Sequence, residues 1–424
     1  MPSNPIYRSY KYRFYPTPEQ TDLLNKTFGA VRFLWNRYTS AFNNYNTEGP
    51  TQATASVKNF RDNYAFLKDV PQNALEQKWM DFNETKNQFF DKKRKKPLGR
   101  MKFKSKGKSR DSFRLSINGF SIKNDKIKLS KIGTINTIID RQYTGTPKSI
   151  TVSRNSAGQY FISILVLTEV ELKQNIGRSI GIDLGVTHLA ILSNGIKIDN
   201  PKFLRENQSK LKRAQQHLSR KVKGSSRYLK QKLKVARVHN DISNQRKHYL
   251  HEVSSWLVDN YDHIFMENLH VAGMKKNHKL AKSISDASFG ELTRQIEYKS
   301  KWYGRSFQKI DRWFPSSKTC HCCGHKMNDM KLSDRSWICP SCGIEHDRDI
   351  NAAKNILVQG FIELYDITHN EALEQAQNKS AESVDYRHGE NVSPEVSPLA
   401  KRKATLDEVL RRLRPFDYSN RFPF

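Results

Sequence analysis

The chain begins with a segment in which apolar and polar residues alternate, and three segments with helical spacing follow it. Residues 7–15 alternate and predict a strand. After Pro16 and Pro18, apolar residues recur every three or four positions, which predicts a helix. Further helical stretches are predicted at about residues 60–67 and after Pro71. Because most apolar side chains of these stretches fall on one helical face, we expect them to form a core.

From about Phe103 the apolar pattern changes from helical to alternating or β-branched. Short segments of this kind, separated by Asn, Gly and Asp, occupy residues 113–122, 126–130, 148–153 and 159–168. We therefore predict a β-barrel domain made of residues 1–15 and 99–176, with residues 16–98 inserted as a separate helical lobe.

Near Ser179 the pattern changes again, to short buried strands. The segment SIGIDLG is followed by two short strands in hairpin succession and then by a long charged helical region at about 202–257. The buried segment HIFMENL, a helix at about 288–303 and a strand at 306–312 come next. Three antiparallel strands followed by alternating helices and strands is the element order of an RNase H-like sheet.

These patterns indicate an α/β, multidomain protein. We predict an RNase H-like domain at 177–314, with a last segment at 347–367 that contains a helix from about Asp349 to Leu357. Residues 368–424 are polar and poor in apolar residues, so we expect a tail without stable structure.

Charge is the strongest compositional signal. The chain has 73 Lys and Arg against 42 Asp and Glu, a formal net charge of +31. A protein with this self-repulsion usually binds a polyanion, most often a nucleic acid. An anionic membrane fits less well, because the basic residues are spread along the chain and no apolar run is long enough to cross a bilayer. Since the start of the chain has no signal-peptide pattern, we expect a cytoplasmic protein without a membrane partner.

Three acidic residues lie in apolar contexts where a carboxylate is costly. Asp183 follows Ile182 in SIGIDLG, Glu267 follows residues 264–266, and Asp349 precedes a helix start. Buried carboxylates cost free energy unless a cation or donor compensates them. Two Mg²⁺ ions held by such a trio would activate water and stabilise the leaving oxygen of a phosphodiester. The trio therefore predicts a metal-dependent nuclease, although each acid taken singly would also suit a capped strand end.

All five cysteines lie close together, which points to a metal site rather than to disulfides. Cys320-x-x-Cys323 and Cys339-x-x-Cys342 are separated by 15 residues, the spacing of a Cys₄ zinc ribbon, which we place at residues 315–346. Four thiolates close the coordination sphere, so the zinc would be structural. His321 and Cys322 are additional potential ligands.

Two basic segments are candidate nucleic-acid contacts. GRMKFKSKGKSRDSFRL interleaves basic and aromatic residues, and the helical region after residue 208 is rich in Lys and Arg. The candidates are Lys102, Lys104, Arg114, Lys212 and Arg213. A solvated charged face is the alternative interpretation, and these residues alone do not separate RNA from DNA.

Several blocks of the sequence resemble those of the TnpB family, which is encoded by small bacterial insertion sequences and is similar to the ancestors of type V CRISPR nucleases. The C-terminal half carries blocks that look like its signatures, namely GIDLGVTHLAILSNG, FMENLHVAGM, SFGELTRQIEYKSKWYG with FPSSKTCHCCG, and ICPSCGIEHDRDINAAKNIL. The N-terminal YKYRFYPTPEQTDLLNKTFGAVRFLWN and the GRMKFKSK…DSFR segment match as well. The resemblance covers the chain to about residue 360.

The resemblance implies an RNA-guided DNA endonuclease. Its partners would be a noncoding guide RNA made from the transposon end and double-stranded target DNA, with one protein chain for each RNA. One RuvC-like site would cut the DNA with Mg²⁺, beside a short motif that the protein reads. Carried over position by position, the catalytic residues are Asp183, Glu267 and Asp349, because the D-x-N-A-A match selects Asp349 over Asp347.

In the family, a helical recognition lobe inserted into a β-barrel (wedge) domain reads the flanking motif and the guide–target heteroduplex. The helix after Pro71 is the matching region here, which makes Gln72, Gln77 and Lys78 candidate contacts. Two other functions stay open, a nuclease-dead RNA-guided DNA-binding regulator and a DDE-type transposase. The intact acids and the zinc ribbon ahead of the third acid favour the endonuclease.

Overall fold

The chain folds into two compact units, and each has its own apolar core. The computed structural model describes residues 3–43, 56–91, 101–331 and 334–381, with side chains up to residue 366. The first unit comprises Met1–Glu171 and Ser209–Asp241, and the second comprises Leu172–Gln208 and Ile242–Phe424.

A seven-stranded antiparallel sheet forms the centre of the first unit. Its strands are β1 (Ser3–Tyr15), β2 (Asp111–Ser116), β3 (Phe120–Lys123), β4 (Lys126–Leu129), β5 (Gly133–Ile138), β6 (Thr146–Arg154) and β7 (Tyr160–Glu171). They pair in the order β2-β6-β7-β1-β5-β4-β3, so the consecutive strands β2 and β3 lie at the two ends of the order and the sheet is nearly closed. A barrel-like sheet that includes the first strand is therefore present.

Helices stand between β1 and β2 in the chain, as predicted. They are α1 (Pro18–Asn43), α2 (Val57–Asn63) and α3 (Gln72–Phe90), with a 3₁₀ turn at Ala65–Lys68. However, their buried side chains and those of the barrel form one continuous cluster, in which the rings of Phe28 and Phe113 are 5.5 Å apart. The helices are therefore a layer packed on the sheet rather than a lobe with a core of its own.

A five-stranded mixed sheet forms the centre of the second unit. Its strands are β8 (Ser179–Asp183), β9 (His188–Leu192), β10 (Lys197–Asp199), β11 (His263–Met266) and β12 (Ser306–Lys309). The order is β10-β9-β8-β11-β12, with β8 to β10 antiparallel and β11 parallel to both β8 and β12. The three hairpin strands and the two later strands that we predicted are all present.

The helices that follow β10 differ from the sequence-based expectation in one respect. They are α4 (Phe203–Glu206), α5 (Gln208–Ser219), α6 (Ser226–Asn260), α7 (Val271–Met274), α8 (His278–Ala287) and α9 (Phe289–Tyr303). Residues 209–241, which we predicted to be part of the RNase H-like domain, belong to the first unit. Polar contacts explain this, because Asn240 hydrogen-bonds Asn155 and Gln159 of the barrel region.

The last described helix, α10 (Arg348–Ala381), packs closely on the sheet of the second unit. A Cβ on Gly181 would overlap the Ala353 carbonyl oxygen, and one on Gly360 would overlap the Phe265 ring, so both positions require glycine. The helix continues past residue 367, where we predicted the tail to begin. The remainder of that predicted tail lies outside the described residues.

A small two-stranded sheet, β13 (Ser336–Ile338) with β14 (Glu345–Asp347), precedes α10 and, except for Asp347, lies within the predicted ribbon. In the part of the chain that the structure describes, no helix is both long and apolar enough to span a membrane.

Candidate active site and cysteine cluster

The second unit brings the three predicted carboxylates together. Asp183 is the last residue of β8, and Glu267 directly follows β11, which pairs with β8 in parallel so that Met266 lies opposite Ile182. Asp349 is in the first turn of α10, which packs against both strands. The two strand ends and the helix start therefore meet at one edge of the sheet.

Burial shifts the pKa values of two of these acids, Asp183 and Glu267. Burial raises the pKa of Asp183 well above its usual range, and the negative charges of Glu267 and Asp349 raise it further. Burial also raises the pKa of Glu267, while hydrogen bonds from Ser316 and Asp183 oppose the rise. Ser316 Oγ donates to Glu267 Oε1 over 2.8 Å. Of the two hydrogen-bonded carboxyls, Asp183 is therefore the one that favours its protonated form, as the donor to Glu267.

The structure separates the roles of the two aspartates at the start of α10. Asp347 Oδ1 accepts hydrogen bonds from the amides of Asp349 and Ile350, each over 3.0 Å, so it caps the helix. Its Oδ2 accepts from Lys197 Nζ over 2.7 Å. Although burial alone would raise the pKa of Asp347, Lys197 and the two amides hold it below its usual range. Asp347 therefore has a structural role as the helix cap, and Asp349 is the aspartate that lies near the other two acids.

Asp349 has two guanidinium neighbours that the sequence did not single out. Arg335 and Arg348 each lie 3.5 Å from its carboxylate oxygens. Arg348 directly precedes Asp349 in the chain, whereas Arg335 directly precedes the ribbon strand β13 and has a side chain that is 65% exposed. Arg348 has a sequence signal in its position next to the third acid, whereas nothing in the local sequence marks Arg335.

Four cysteine sulfurs form a compact cluster in the second unit. The Sγ atoms of Cys320, Cys323, Cys339 and Cys342 lie within 4.8 Å of one another. Cys320 and Cys342 are 3.7 Å apart, and Cys323 and Cys339 are 3.5 Å apart. A tetrahedral ion with Zn–S bonds of about 2.3 Å sets the sulfurs about 3.8 Å apart, so the cluster fits zinc.

The two additional ligands suggested by the sequence behave differently. Cys322 forms a second possible ligand group with Cys320 and His346, whose Nε2 lies 3.1 Å from Cys320 Sγ. His321 belongs to neither group, and burial lowers the pKa of its imidazole to about 4. The Cys₄ set is the larger and the one that the sequence spacing predicted.

Two buried asparagines of α10 attach the first cysteine turn to the helix that carries Asp349. Asn355 Nδ2 donates to the carbonyls of Ser316 and Thr319, over 2.8 and 2.6 Å. Asn351 donates to the same Thr319 carbonyl over 2.8 Å and accepts from the His321 amide over 2.9 Å. The sequence signal was two polar residues, four apart, on the otherwise apolar buried face of the helix. We call this pair the asparagine clasp.

Some of the predicted nucleic-acid contacts are engaged within the protein. Lys78 is buried, and its Nζ lies 2.6 Å from Asp81. Arg114 reaches the other oxygen of Asp81 over 2.7 Å. Both cations therefore pair with one carboxylate, and the candidate contact Lys78 is buried. Periodicity could not reveal this, because Asp81 and Arg114 are 33 positions apart.

The two candidate glutamines lie at the start of α3 with local partners. Gln72 is exposed, accepts a hydrogen bond from Arg61 and donates to Glu76 over 2.8 Å. Gln77 is half-buried, and its amide nitrogen is 3.4 Å from Met80 Sδ. Both side chains have local partners in this structure.

The remaining basic candidates divide between exposed and half-buried. Lys102, Lys212 and Arg213 are exposed. Lys104 places its Nζ 3.7 Å from the centre of the Trp35 ring, and burial lowers the pKa of this lysine to about 8. The three exposed side chains are free of these constraints.

Three family models match the chain. One described as "Probable transposase" (OrfB_IS605) covers residues 163–278, one described as "Cas12f1-like, TNB domain" covers 289–356, and a "Helix-turn-helix domain" model covers 1–47. In this structure the described part of the last match is a strand followed by one helix. The second match contains all four cysteines of the cluster.

Curated relatives match most of the chain. A Streptomyces pristinaespiralis protein named "Putative RNA-guided DNA endonuclease" is 38% identical, over 84% of this chain and 90% of its own length. "Putative RNA-guided DNA endonuclease InsQ" of Escherichia coli K12 is 33% identical, over 83% and 92%. A solved structure described as a Cas12f1-sgRNA-target DNA complex superposes with a TM-score of 0.50 at 16% identity, covering 83% of this chain and 98% of that one. The last similarity shows a shared fold.

Proposed function

The chain belongs to the TnpB family, the OrfB proteins of IS605-type insertion sequences, and on that premise we propose that it is an RNA-guided DNA endonuclease with a RuvC-type active site. The observation that carries the proposal is the convergence of Asp183, Glu267 and Asp349 at one edge of the β8–β11 sheet. Burial and the charges of Glu267 and Asp349 raise the pKa of Asp183, so a cation at this site would be needed for Asp183 to ionise beside them.

The donor set fits magnesium. Carboxylate oxygens from three separate elements are the hard ligands that Mg²⁺ prefers, and Asp183, Glu267 and Asp349 would hold it. Two bound ions would supply an activated water and stabilise the leaving oxygen of a phosphodiester. The protein itself orients these ligands, because Ser316 donates to Glu267 and the cap by Asp347 fixes the helix start that presents Asp349.

Arg335 and Arg348 complete the proposed site. Each lies 3.5 Å from Asp349, so the pair offers positive charge where a phosphate would enter. The strand order β10-β9-β8-β11-β12, with the first three strands antiparallel, supports the RuvC-type assignment because it is the order of RNase H-like sheets.

Zinc has a structural role in this proposal. The four cysteine sulfurs would hold one Zn²⁺ with no open position, and so no catalytic water would bind there. The asparagine clasp joins this ribbon to α10, so a folded ribbon helps to position Asp349 and Arg335. Loss of the metal would then disturb the nuclease site through protein contacts alone.

Charge and relatives together support the partners. A net charge of +31 suits a protein that holds both a guide RNA and target DNA by their backbones while base pairing selects the sequence. The relatives' names and the Cas12f1 complex point to the same two partners. We propose one noncoding RNA from the transposon end for each chain, with Lys102, Lys212 and Arg213 among the backbone contacts.

A second candidate function is transposition, because the family model over residues 163–278 is described as a transposase. A transposase of this chemistry would join DNA ends, whereas an endonuclease releases cut ends. Both readouts can be taken from one reaction.

The experiment is to express the chain with its native flanking DNA, sequence the RNA that copurifies, and incubate the complex with matching target DNA and Mg²⁺. We expect a single RNA species that ends in sequence from outside the element, and cut but unjoined DNA. Asp183→Asn should abolish cutting and preserve RNA binding. Asp199→Asn, a change at an 86% exposed side chain, is the matched control and should cut normally. Joined products, or cutting that survives Asp183→Asn, would contradict the proposal.

A further inference from the structure

Trp313 is an unusually exposed tryptophan in the second unit. Its side chain is 83% exposed, the highest value among the large apolar side chains that the structure describes. The five other tryptophans are 37% exposed or less. Tryptophan carries a large apolar surface that proteins usually bury, and an exposed one commonly marks a contact with a ligand or partner.

This exposure does not come from a loose segment, because both neighbours of Trp313 are attached. Arg312 Nε donates to the Asn268 carbonyl over 3.1 Å, and the Asp311 amide donates to the Glu363 carboxylate over 2.9 Å. On the other side, Phe314 packs against the buried cluster that contains Phe265, Ile310 and Ile356. The turn therefore holds the indole outward on a fixed backbone.

The turn that carries Trp313 lies beside the candidate active site. Arg312 bonds Asn268, which directly follows Glu267 in the chain. Ser316, three positions after Trp313, donates to the Glu267 carboxylate over 2.8 Å. Trp313 thus stands between two residues that each hold the Glu267–Asn268 segment.

We propose that Trp313 is a stacking platform for an unpaired base of the DNA strand that enters the carboxylate site. This inference rests on the proposed function, in which pairing with the guide leaves one DNA strand single and its bases free. An aromatic face stacks on any base, so such a platform suits an enzyme whose protein part does not read the sequence it cuts.

The surroundings of the indole favour a nucleobase over a protein partner. Trp313 is flanked by the charged, exposed residues Asp311 and Arg312. Protein docking sites are usually contiguous apolar patches of several hundred Å², whereas a base needs one flat face and nearby positive charge.

The test measures binding of single-stranded DNA by the full chain with its copurified RNA. Every protein carries Asp183→Asn so that the probe stays intact, and the probe is a fluorescein-labelled oligodeoxynucleotide of about 12 nucleotides, within the usual range of single-strand sites. Trp313→Ala should weaken binding about 5- to 140-fold, the equivalent of one lost stacking contact. Trp313→Phe, which keeps an aromatic face, should retain most of the affinity. Ile338→Ala, at a 64% exposed residue of the same unit, is the matched control and should change nothing.

An abasic scan of the probe locates the stacked base. In the protein with Trp313, removal of one particular base should weaken binding, and in Trp313→Ala the same removal should have no further effect. Equal binding by the Trp313 and Trp313→Ala proteins would overturn the proposal. A loss seen with an oligoribonucleotide but not with DNA would also overturn it, because it would assign the indole to RNA.

The stacking inference and the proposed function can fail separately. Cleavage by the chain with Asp183 intact reports on the endonuclease, whereas the ratio of the Trp313→Ala and Trp313→Phe affinities reports on stacking. A chain that cuts DNA but shows no difference between these variants would refute the stacking inference alone. A chain that shows the stacking signature without cutting would refute the endonuclease alone.

Discussion

The asparagine clasp offers the sharpest test of how the ribbon is attached to the nuclease sheet. Asn355 is 6% exposed and donates to two backbone carbonyls, those of Ser316 and Thr319. The perturbation is Asn355→Ala, which removes both donors and leaves the helix backbone unchanged. The substitution leaves the two carbonyls in different states, because the Thr319 carbonyl still accepts a hydrogen bond from Asn351.

The cost follows from this difference. Loss of the Thr319 bond should cost about 1 kcal/mol, the usual net value for a neutral hydrogen bond whose acceptor stays paired. The Ser316 carbonyl loses the donor that the structure gives it, and a buried unpaired acceptor costs about 1–3 kcal/mol. The two losses together should make Asn355→Ala destabilise the clasp by about 2–4 kcal/mol. Local opening of the segment that the clasp holds should then be about 30- to 700-fold more frequent.

Hydrogen exchange followed by mass spectrometry measures this opening directly. Exchange in the peptide around residues 316–325 should accelerate by the stated factor in Asn355→Ala, with little change in β1 of the other unit. Gln359→Ala, one turn later on α10, is the control, because it loses only a half-buried contact to Glu363. Equal exchange of this peptide in the two variants would refute the assignment of the clasp.

Three further changes have defined outcomes. Ser316→Ala removes the side chain that donates a hydrogen bond to the charged Glu267 carboxylate. Single-turnover cleavage should therefore slow about 10- to 150-fold. An unchanged rate would show that Glu267 does not need this hydrogen bond. Cys339→Ser should lower the zinc content, measured by elemental analysis, below one ion per chain. A full ion per chain would instead indicate that zinc binds at the second ligand group, Cys320, Cys322 and His346. Burial lowers the pKa of His251 to about 4 from 6.5, so below pH 6.5 the unfolded chain binds a proton that the native chain does not, and stability falls as the pH drops toward 4. His251→Gln should reduce the loss of stability between pH 7.5 and 5 in denaturant titrations, and an identical loss in both proteins would exclude this role.

Most of the strands and the chemistry of the second unit could be predicted from the sequence, because they depend on short-range patterns. An acid at the end of an apolar strand is visible in SIGIDLG and HIFMENL, and both segments are strands in the structure. Paired CxxC turns fix two ligands each within four residues, so the cysteine cluster was predictable before any tertiary contact was known.

Features that depend on distant partners were not predictable. Lys78 was a candidate nucleic-acid contact on α3, but it is buried and pairs with Asp81, which also pairs with Arg114 from β2. The helices at the start of the chain looked like a separate lobe, since helical periodicity shows that a face is buried and not what covers it. The barrel covers it here, and the two share a core.

At the carboxylate site, the sequence identified the acids, but only the structure shows which residues contact them. Asp347 and Asp349 were separated in the sequence only through a family motif, whereas their hydrogen bonds separate them physically. Arg335 and Ser316 were not predicted, because nothing in their local sequence shows that they reach the acids.

The central claim is that this chain cuts DNA where a bound RNA directs it, with Asp183 in the catalytic site. The most direct measurement replaces the 3′ part of the copurified RNA with a new sequence and maps the cuts on a plasmid that contains the matching site. The account predicts that the cut moves to the new site, requires Mg²⁺, and disappears in Asp183→Asn while the complex still binds the plasmid. Cutting that ignores the new RNA sequence, or that persists without RNA, would contradict it.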